Sequence, residues 1–390
     1  MPADYRALDF YDLEDQFSEE ERLVRDSVRS WVSDRFLPVV QAHFEAGTFP
    51  QELTRELGEL GVFGSNLPTE YGCAGLNNVS YGLICQELER GDSGLRSFVS
   101  VQGSLVMWPI FEFGSEEQKR EWLPKLASGA AIGCFGLTEP DFGSNPGGMT
   151  TTARQEGDEW VLNGRKMWIT NGTISDVAIV WAKCDGKVRG FVVPTNTPGF
   201  SAPEQLHKFS LRASITSELV LQDVRLPLGA VLPGVSGLKG PLRCLTQARY
   251  GISWGATGAA MAVFDEALRY SKERIVFDKP LASYQLPQAK LAEIATDITL
   301  AQMMSLRLGR MKDAGTMTPQ QVSMAKRNNV MKALEATRVV RDMLGANGIS
   351  LEYQVGRHLC NLESVVTYEG THDIHTLTIG QELTGIAAFR

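Results

Sequence analysis

Apolar positions fall into three regimes along the 390-residue chain. From Ser18 onward they recur at helical spacing. Leu23, Val24, Val28, Trp31 and Val32 read as one stripe, and Leu83, Ile84 and Leu88 resume it after a loop marked by Pro68 and the glycines near 72–75. Ser18, followed three residues later by Glu21, reads as a capping box opening the first helix. Between 133 and 237 the pattern shortens. Apolar runs at 159–162, 166–170, 177–182, 190–193 and 218–222 alternate with the turn dipeptides Asn163-Gly164, Asn171-Gly172 and Asp185-Gly186, which predicts antiparallel strands. Beyond 240 helical spacing returns over long segments: Leu291, Ile294, Ile298, Ala301 and Leu308 form one stripe, and Ala333, Ala336, Val340 and Leu344 another. Gly255, Gly258, Ala259 and Ala260 give one helix an unusually small face, suited to close approach of another helix or of a planar ligand.

This order predicts an α+β protein with a helical domain at 1–132, an antiparallel β domain at 133–237 and a helical bundle at 238–390. Helices and strands are segregated, so a βαβ nucleotide fold is excluded, and neither G-x-G-x-x-G nor a P-loop occurs.

Composition narrows the function classes. Apolar residues make up 43% and the net charge is −8, which argues against a nucleic-acid or anionic-membrane surface. The six cysteines stand in no metal-ligand spacing and read as reduced thiols. The N-terminal stretch is acidic, without the apolar core of a signal peptide or the Arg-rich character of a transit peptide. No apolar run approaches a membrane span. The expected setting is the bacterial cytoplasm, or a mitochondrial matrix after removal of a transit peptide.

Two segments carry candidate chemistry. Tyr368-Glu369-Gly370-Thr371 sets a carboxylate between an apolar stretch and a glycine, at a loop-to-helix junction. Such a carboxylate has a raised pKa and can act as a base, or it can be a residue favoured by the helix dipole. Thr371 or Asp373 is placed to cap the following helix. The second segment, 87–100, contains Glu87, Glu89, Arg90, Asp92, Arg96, Ser97 and Ser100. By itself it reads as a solvated charge run at a helix end.

Taken together, these segments resemble the acyl-CoA dehydrogenase family, and within it the members that oxidise glutaryl-CoA. The likeness rests on ordered motifs: 133–140, 167–171, 248–252, 274–277, Gln285, 342–348 and 367–375. It implies noncovalent FAD, with Phe135, Leu137 and Thr138 along the isoalloxazine, Trp168 over one face and Ile169 and Thr170 near N5. Arg274, Phe277, Gln285, Asp342, Met343, Leu344, Gly345, Ala346 and Thr371 complete the implied FAD site. Several of these contacts cross a subunit boundary in the family, which implies a homo-oligomer of the tetrameric kind. Gly345-Ala346 stands where relatives carry paired glycines, and Asn145 where they often carry aspartate.

The resemblance also implies that Glu369 removes the pro-R α proton while the β hydrogen leaves as hydride. The alternative base position of the family, before Arg249, is here Ala248. Tyr368 and Gly370 flank the base, Leu242 to Arg249 line the pantetheine path, and Ser144 meets the CoA arm. Arg96, supported by Glu89, Ser97 and Ser100, pairs with the terminal carboxylate of the substrate. Phe98 is bulkier than expected there and leaves the pocket shape open. The implied reaction is oxidative decarboxylation of glutaryl-CoA to crotonyl-CoA and CO2, with electron-transfer flavoprotein as acceptor. A short-chain acyl-CoA oxidase, a non-decarboxylating dehydrogenase and a flavin-free helical scaffold are the alternatives.

Overall fold

Ser18 Oγ accepts the Glu21 N–H at 3.2 Å while the Glu21 carboxylate accepts the Ser18 N–H at 2.8 Å, so the first helix begins at the capping box. The computed structural model describes residues 9–388; residues 1–8 of the acidic N-terminal stretch and residues 389–390 lie outside that range. The first layer comprises α1 (Glu19–Trp31), α2 (Leu37–Ala46), α3 (Thr54–Glu59), α4 (Asn78–Gly91), α5 (Ser93–Ser100), α6 (Trp108–Phe113) and α7 (Glu116–Ala127). Val28, Val32, Phe36, Phe63, Leu88 and Phe98 pack in its core. Leu23, expected on the α1 stripe, is instead 67% exposed. At about 100° per residue it falls outside the arc shared by Val24, Val28, Trp31 and Val32.

The middle layer is a sheet of β1 (Gly133–Gly136), β2 (Thr152–Glu156), β3 (Glu159–Thr170), β4 (Val177–Cys184), β5 (Lys187–Pro194), β6 (Phe200–Ser201) and β7 (Thr216–Pro227). Its order is β1-β4-β2-β3-β7-β6, with β5 on β4. Most pairs are antiparallel, as expected, but β1 and β2 each meet β4 in parallel. Asp185-Gly186 turns the β4–β5 hairpin, with both residues in the left-handed region. Asn163-Gly164 does not turn the chain. It lies inside β3 as a register shift against β7, where a Cβ on Gly164 would come 2.4 Å from Thr151 Oγ1. Asn163 bonds Asp223 on the neighbouring strand through both ends of its amide.

The last layer holds α8 (Lys239–Glu273), a small hairpin of β8 (Ile275–Val276) and β9 (Lys279–Pro280), then α9 (Gln285–Asp313), α10 (Pro319–Met343), α11 (Gln354–Val365) and α12 (His372–Thr384). Ile294 and Ile298 of α9 and Ala333, Ala336 and Val340 of α10 share the core of this layer with α8, and Ala301 is buried on α9. The small face of α8 lets α4 approach closely. A Cβ on Gly258 would sit 1.9 Å from the Gln86 carbonyl, and one on Gly255 would sit 2.0 Å from Glu89 Oε2. That approach places the end of α4, the start of α5 and the α11–α12 loop around one point. Among the described residues, no helix is long and apolar enough to cross a membrane.

Candidate active site

The charge run at 87–100 is buried, contrary to its isolated reading. Glu87, Glu89, Asp92 and Arg96 have no exposed surface, and each has a partner. Glu87 takes Arg29 and Arg90. Asp92 N-caps α5 through the Gly94 N–H and binds Arg357 and Asn361 at 2.7 Å each. Glu89 accepts Arg96 Nε at 2.7 Å and the Ser93 hydroxyl at 2.8 Å. Buried charges survive only when paired in this way. Phe98 points away from this cluster, stacked on Phe49 at 4.4 Å and edge-on to Phe63, so its bulk fills the core rather than the pocket.

Arg96 also donates through Nη2 to the Tyr368 hydroxyl, with its guanidinium over the Tyr368 ring. Its Nη1 is buried and bonds to nothing among the described residues, and the same is true of Ser100 Oγ and Glu369 Oε2. Ser97 is buried on the same helix. Two donors and one acceptor are thus left unspent around one small region, a donor set that suits a bound anion next to a protonatable group.

Glu369 follows α11 in a loop that Thr371 ends by capping α12, its hydroxyl accepting the Ile374 N–H. The backbone is left-handed at Glu369 (φ 52°) and at Gly370 (φ 98°), an unusual state for a glutamate that the surroundings must hold. Arg249 Nε donates to the Glu369 carbonyl at 2.6 Å. Lys326 Nζ donates to the carbonyls of Tyr368 at 2.6 Å and Gly370 at 2.7 Å. His375 faces Gly370 from α12 and bonds Ser323 through Nδ1 at 3.0 Å. Burial raises the Glu369 carboxyl above its ordinary range, and the charges of Arg96, Lys326 and Arg249 pull it partly back. Burial opposes the charge of Arg96, but Glu89, Tyr368 and Glu369 outweigh that cost and stabilise it.

Of the predicted substrate residues, Glu89, Arg96, Ser97, Ser100, Tyr368, Glu369, Gly370 and Arg249 gather here. Ser144 lies exposed between β1 and β2, and Leu242 is 40% exposed at the start of α8. The sequence reading missed Lys326 and His375. Lys326 sits among Val322, Ala325, Asn329 and Val330 on the buried face of α10, and a lysine on such a face was the available signal.

A second group forms where β1 ends beside β3: the Met167 N–H bonds the Thr138 carbonyl at 2.8 Å. A register shift between Lys166 and Ile169 turns Trp168 outward, left-handed (φ 63°) and 63% exposed. The side chains of Phe135, Leu137 and Ile169 face the core, Phe135 edge-on to Trp181, so a ligand would meet their backbone. Thr138 and Thr170 are half-buried. An exposed indole beside hydroxyls and strand-end backbone fits a planar heteroaromatic with a polar edge. Below them Lys166 bonds the Leu137 carbonyl and Glu139, which ties the two strands together.

A third group lies at the end of α8. Arg274 is its C-cap, Phe277 is 88% exposed on the β8–β9 turn, and Gln285 opens α9. At the end of α10, Asp342 pairs with Lys290 at 2.8 Å, Met343 is half-buried, Leu344 is in the core, and Gly345 is left-handed before Ala346. Among the described residues, no hydrogen bond, ion pair or ring contact joins this third group to the Trp168 strands.

Comparison with known proteins gives one family throughout. Residues 18–130, 134–224 and 236–384 match the N-terminal, middle and C-terminal domains of acyl-CoA dehydrogenases. A probable acyl-CoA dehydrogenase of Bacillus subtilis is 37% identical over 94% of this chain and 99% of its own. The crystal structure of a glutaryl-CoA dehydrogenase from Mycobacterium smegmatis in complex with FADH2 is 56% identical, covers 98% of this chain and 99% of its own, and superposes with a TM-score of 0.97. A glutaryl-coenzyme A dehydrogenase in complex with glutaryl-CoA is 32% identical over 96% of this chain and 98% of its own, with a TM-score of 0.92.

Proposed function

Because the chain belongs to the acyl-CoA dehydrogenase family, we propose that this FAD-dependent oxidoreductase converts glutaryl-CoA to crotonyl-CoA and CO2. One observation carries the choice of substrate: a fully buried guanidinium, Arg96, with Nη1 unspent, close to the one unbonded buried carboxylate oxygen of the Glu369 loop. A monocarboxylic acyl chain offers nothing to such a cation. A chain ending in a carboxylate completes it, with a charge-assisted and fork-like contact.

FAD, when bound, supplies the acceptor for the substrate's β hydride. Trp168, Thr138, Thr170 and Thr371, with the backbone of Phe135, Leu137 and Ile169, would hold its ring system. Arg274, Phe277, Gln285 and residues 342–346 would hold its pyrophosphate and adenylate end from a second copy of the chain in a homotetramer. Ser144 and the stretch from Leu242 to Arg249 guide the CoA arm and pantetheine.

Glu369 takes the pro-R α proton. Its burial makes the carboxylate a stronger base, while Arg96, Lys326 and Arg249 partly offset the rise and favour the ionised form. The carbonyls of Tyr368 and Glu369 are held by Lys326 and Arg249, and a trans peptide points its N–H the opposite way. The N–H groups of Glu369 and Gly370 are therefore free to bond the thioester oxygen as it gains charge. Oxidation leaves a γ carboxylate that is a vinylogous β-keto acid. Loss of CO2 gives a dienolate conjugated with the thioester, and Glu369, now protonated, returns its proton at the γ carbon. Electron-transfer flavoprotein is the proposed electron acceptor, and the bacterial relatives favour a cytoplasmic setting.

Incubation with carboxyl-labelled glutaryl-CoA tests the reading. Labelled CO2 and crotonyl-CoA in equal amounts are expected. Glutaconyl-CoA without labelled CO2 would refute the decarboxylation, and no flavin reduction at all would refute the substrate.

A further inference from the structure

We propose that Lys326 is a positioning residue for the reaction: it clamps the backbone of the Glu369 loop so that the loop's N–H groups polarise the thioester. The inference rests on the reading of Glu369 as the base. Three consecutive carbonyls, those of Tyr368, Glu369 and Gly370, are held by two basic side chains, the buried Lys326 and the half-buried Arg249. Lys326 takes the first and third, at 2.6 and 2.7 Å, and Arg249 takes the second at 2.6 Å.

Between the two contacts of Lys326 lie two left-handed residues, Glu369 and Gly370. An unrestrained loop would relax from that conformation, at least at the non-glycine position. One ammonium reaching both ends of the pair closes the turn around them. Each peptide here is trans, so a carbonyl fixed toward a cation sends the N–H of the next residue to the opposite side. Among the described residues, no backbone acceptor is bonded to the N–H of Glu369 or Gly370, which leaves both for a ligand. A Cβ on Gly370 would stand 2.9 Å from His375 Nε2 and 3.1 Å from Arg249 Nη2, so the space between the loop and these side chains of α8 and α12 admits only a glycine without rearrangement.

Lys326 itself is 1% exposed and has no other bonding partner among the described residues. The charged and titratable groups that act on it are Glu369 of the loop, Arg249 of α8, Arg96 of α5 and Glu89 of α4. The ring of Tyr368 lies 5.8 Å from its Nζ, and His375 feels its charge from α12. Burial draws the amine below its ordinary range. Either protonation state retains the two N–H donors that the clamp uses.

The test uses FAD-loaded holoenzyme of the wild type, Lys326→Met and Lys326→Gln. Two quantities are read: the rate of flavin reduction at saturating glutaryl-CoA, per bound FAD, and the infrared stretch of the carbonyl in bound crotonyl-CoA labelled with ¹³C at C1. The reduction rate should fall at least tenfold in Lys326→Met and less in Lys326→Gln, which keeps one donor. The half-saturating glutaryl-CoA concentration should stay within about threefold. The carbonyl stretch should move toward its value in free solution, a change that a purely structural lysine would not produce. The inference requires both changes, and either one alone overturns it. Failure of both variants to fold or to retain FAD also overturns it, by making the lysine's role structural. Glu369→Gln is run alongside. If that variant reduces flavin like the wild type, the reading of the base fails; if it is inactive while both lysine variants behave as wild type, only the clamp fails.

Discussion

At the scale of single residues, the site turns on which buried groups are left unspent. Glu369 Oε2 has no partner among the described residues, and burial lifts its carboxyl above the ordinary range. Glu369→Gln keeps the shape and removes the basicity. It should bind acyl-CoA and FAD normally and lose at least about 10²–10⁴-fold in flavin reduction. In the wild type, reduction should fall as the pH drops through the raised Glu369 pKa, because the protonated carboxyl cannot accept the α proton. A variant that keeps more than a tenth of the rate would identify another base. Arg96 gives a second expectation. Arg96→Ala strands Glu89 as an unpaired buried charge, so the cleaner variant is Glu89→Gln/Arg96→Ala, which removes both charges. It should lower kcat/KM for glutaryl-CoA by about 30- to 1,000-fold, the equivalent of about 2–4 kcal/mol, and spare butyryl-CoA. Equal losses on both substrates would remove the carboxylate-binding role. Glu369, Tyr368, Glu89 and Arg96 were all legible in the sequence as motif residues. Lys326 was not, because a lysine defaults to the surface and its two acceptors are main-chain carbonyls more than forty positions away, which no side-chain pattern records.

At the scale of elements, the sequence spacing located helices well and misjudged what their ends face. The run at 87–100 looks like a solvated helix terminus because its acids and bases stand close together. It is buried because α8 offers glycines where α4 crosses it, a fact that requires both helices at once. The small face of α8 was visible as a pattern, while its purpose, space for the Glu89 carboxylate, was not. The same limit applies to β3. Asn163-Gly164 carries turn chemistry but serves a register shift, and the exposed Trp168 depends on a second shift against β7. Both are consequences of strand pairing rather than of local composition. Gly255→Ala tests the helix contact directly. Its Cβ would meet Glu89 Oε2 at 2.0 Å, so Glu89 must move and release Arg96 Nε. The expected outcome is a loss of at least about tenfold in glutaryl-CoA kcat/KM, with a smaller loss on butyryl-CoA, by the free-energy relation of kcat/KM to transition-state contacts. Gly380→Ala in α12, which meets nothing within 4 Å, is the control. It should leave kinetics unchanged and gain up to about 1 kcal/mol of helix stability. If Gly255→Ala and the control behave alike, the α4–α8 contact does not set the pocket.

At the scale of the whole molecule, the α–β–α order was readable because helical and strand periodicities occupy separate stretches. The parallel contacts of β4 were not, since they depend on where distant chain segments return. The molecule also carries a surface that a single chain leaves open. Ile275 is 56% exposed, Phe277 88% and Leu286 77%, all beside Arg274 and Gln285 at one corner of α8 and α9. Phe277 is held outward by a left-handed turn with Asp278, so its exposure is built into the backbone. Full burial of one such side chain contributes about 1.5–3 kcal/mol, which makes it an effective anchor against a second copy. The same corner holds residues expected to bind the far end of FAD, so assembly and cofactor retention should be linked by mass action. Phe277→Asp places a charge where an apolar contact is expected, and burying it unpaired would oppose association. The variant should show a lower mass by light scattering and a lower ratio of FAD to protein after gel filtration, with both deficits shrinking as protein concentration rises. A variant with wild-type mass and wild-type FAD content would show that this corner is neither the subunit contact nor the outer clamp of the cofactor. A variant that dissociates yet keeps its FAD would show that each chain binds the cofactor alone, which would transfer the adenylate contacts from the partner to residues of the same chain.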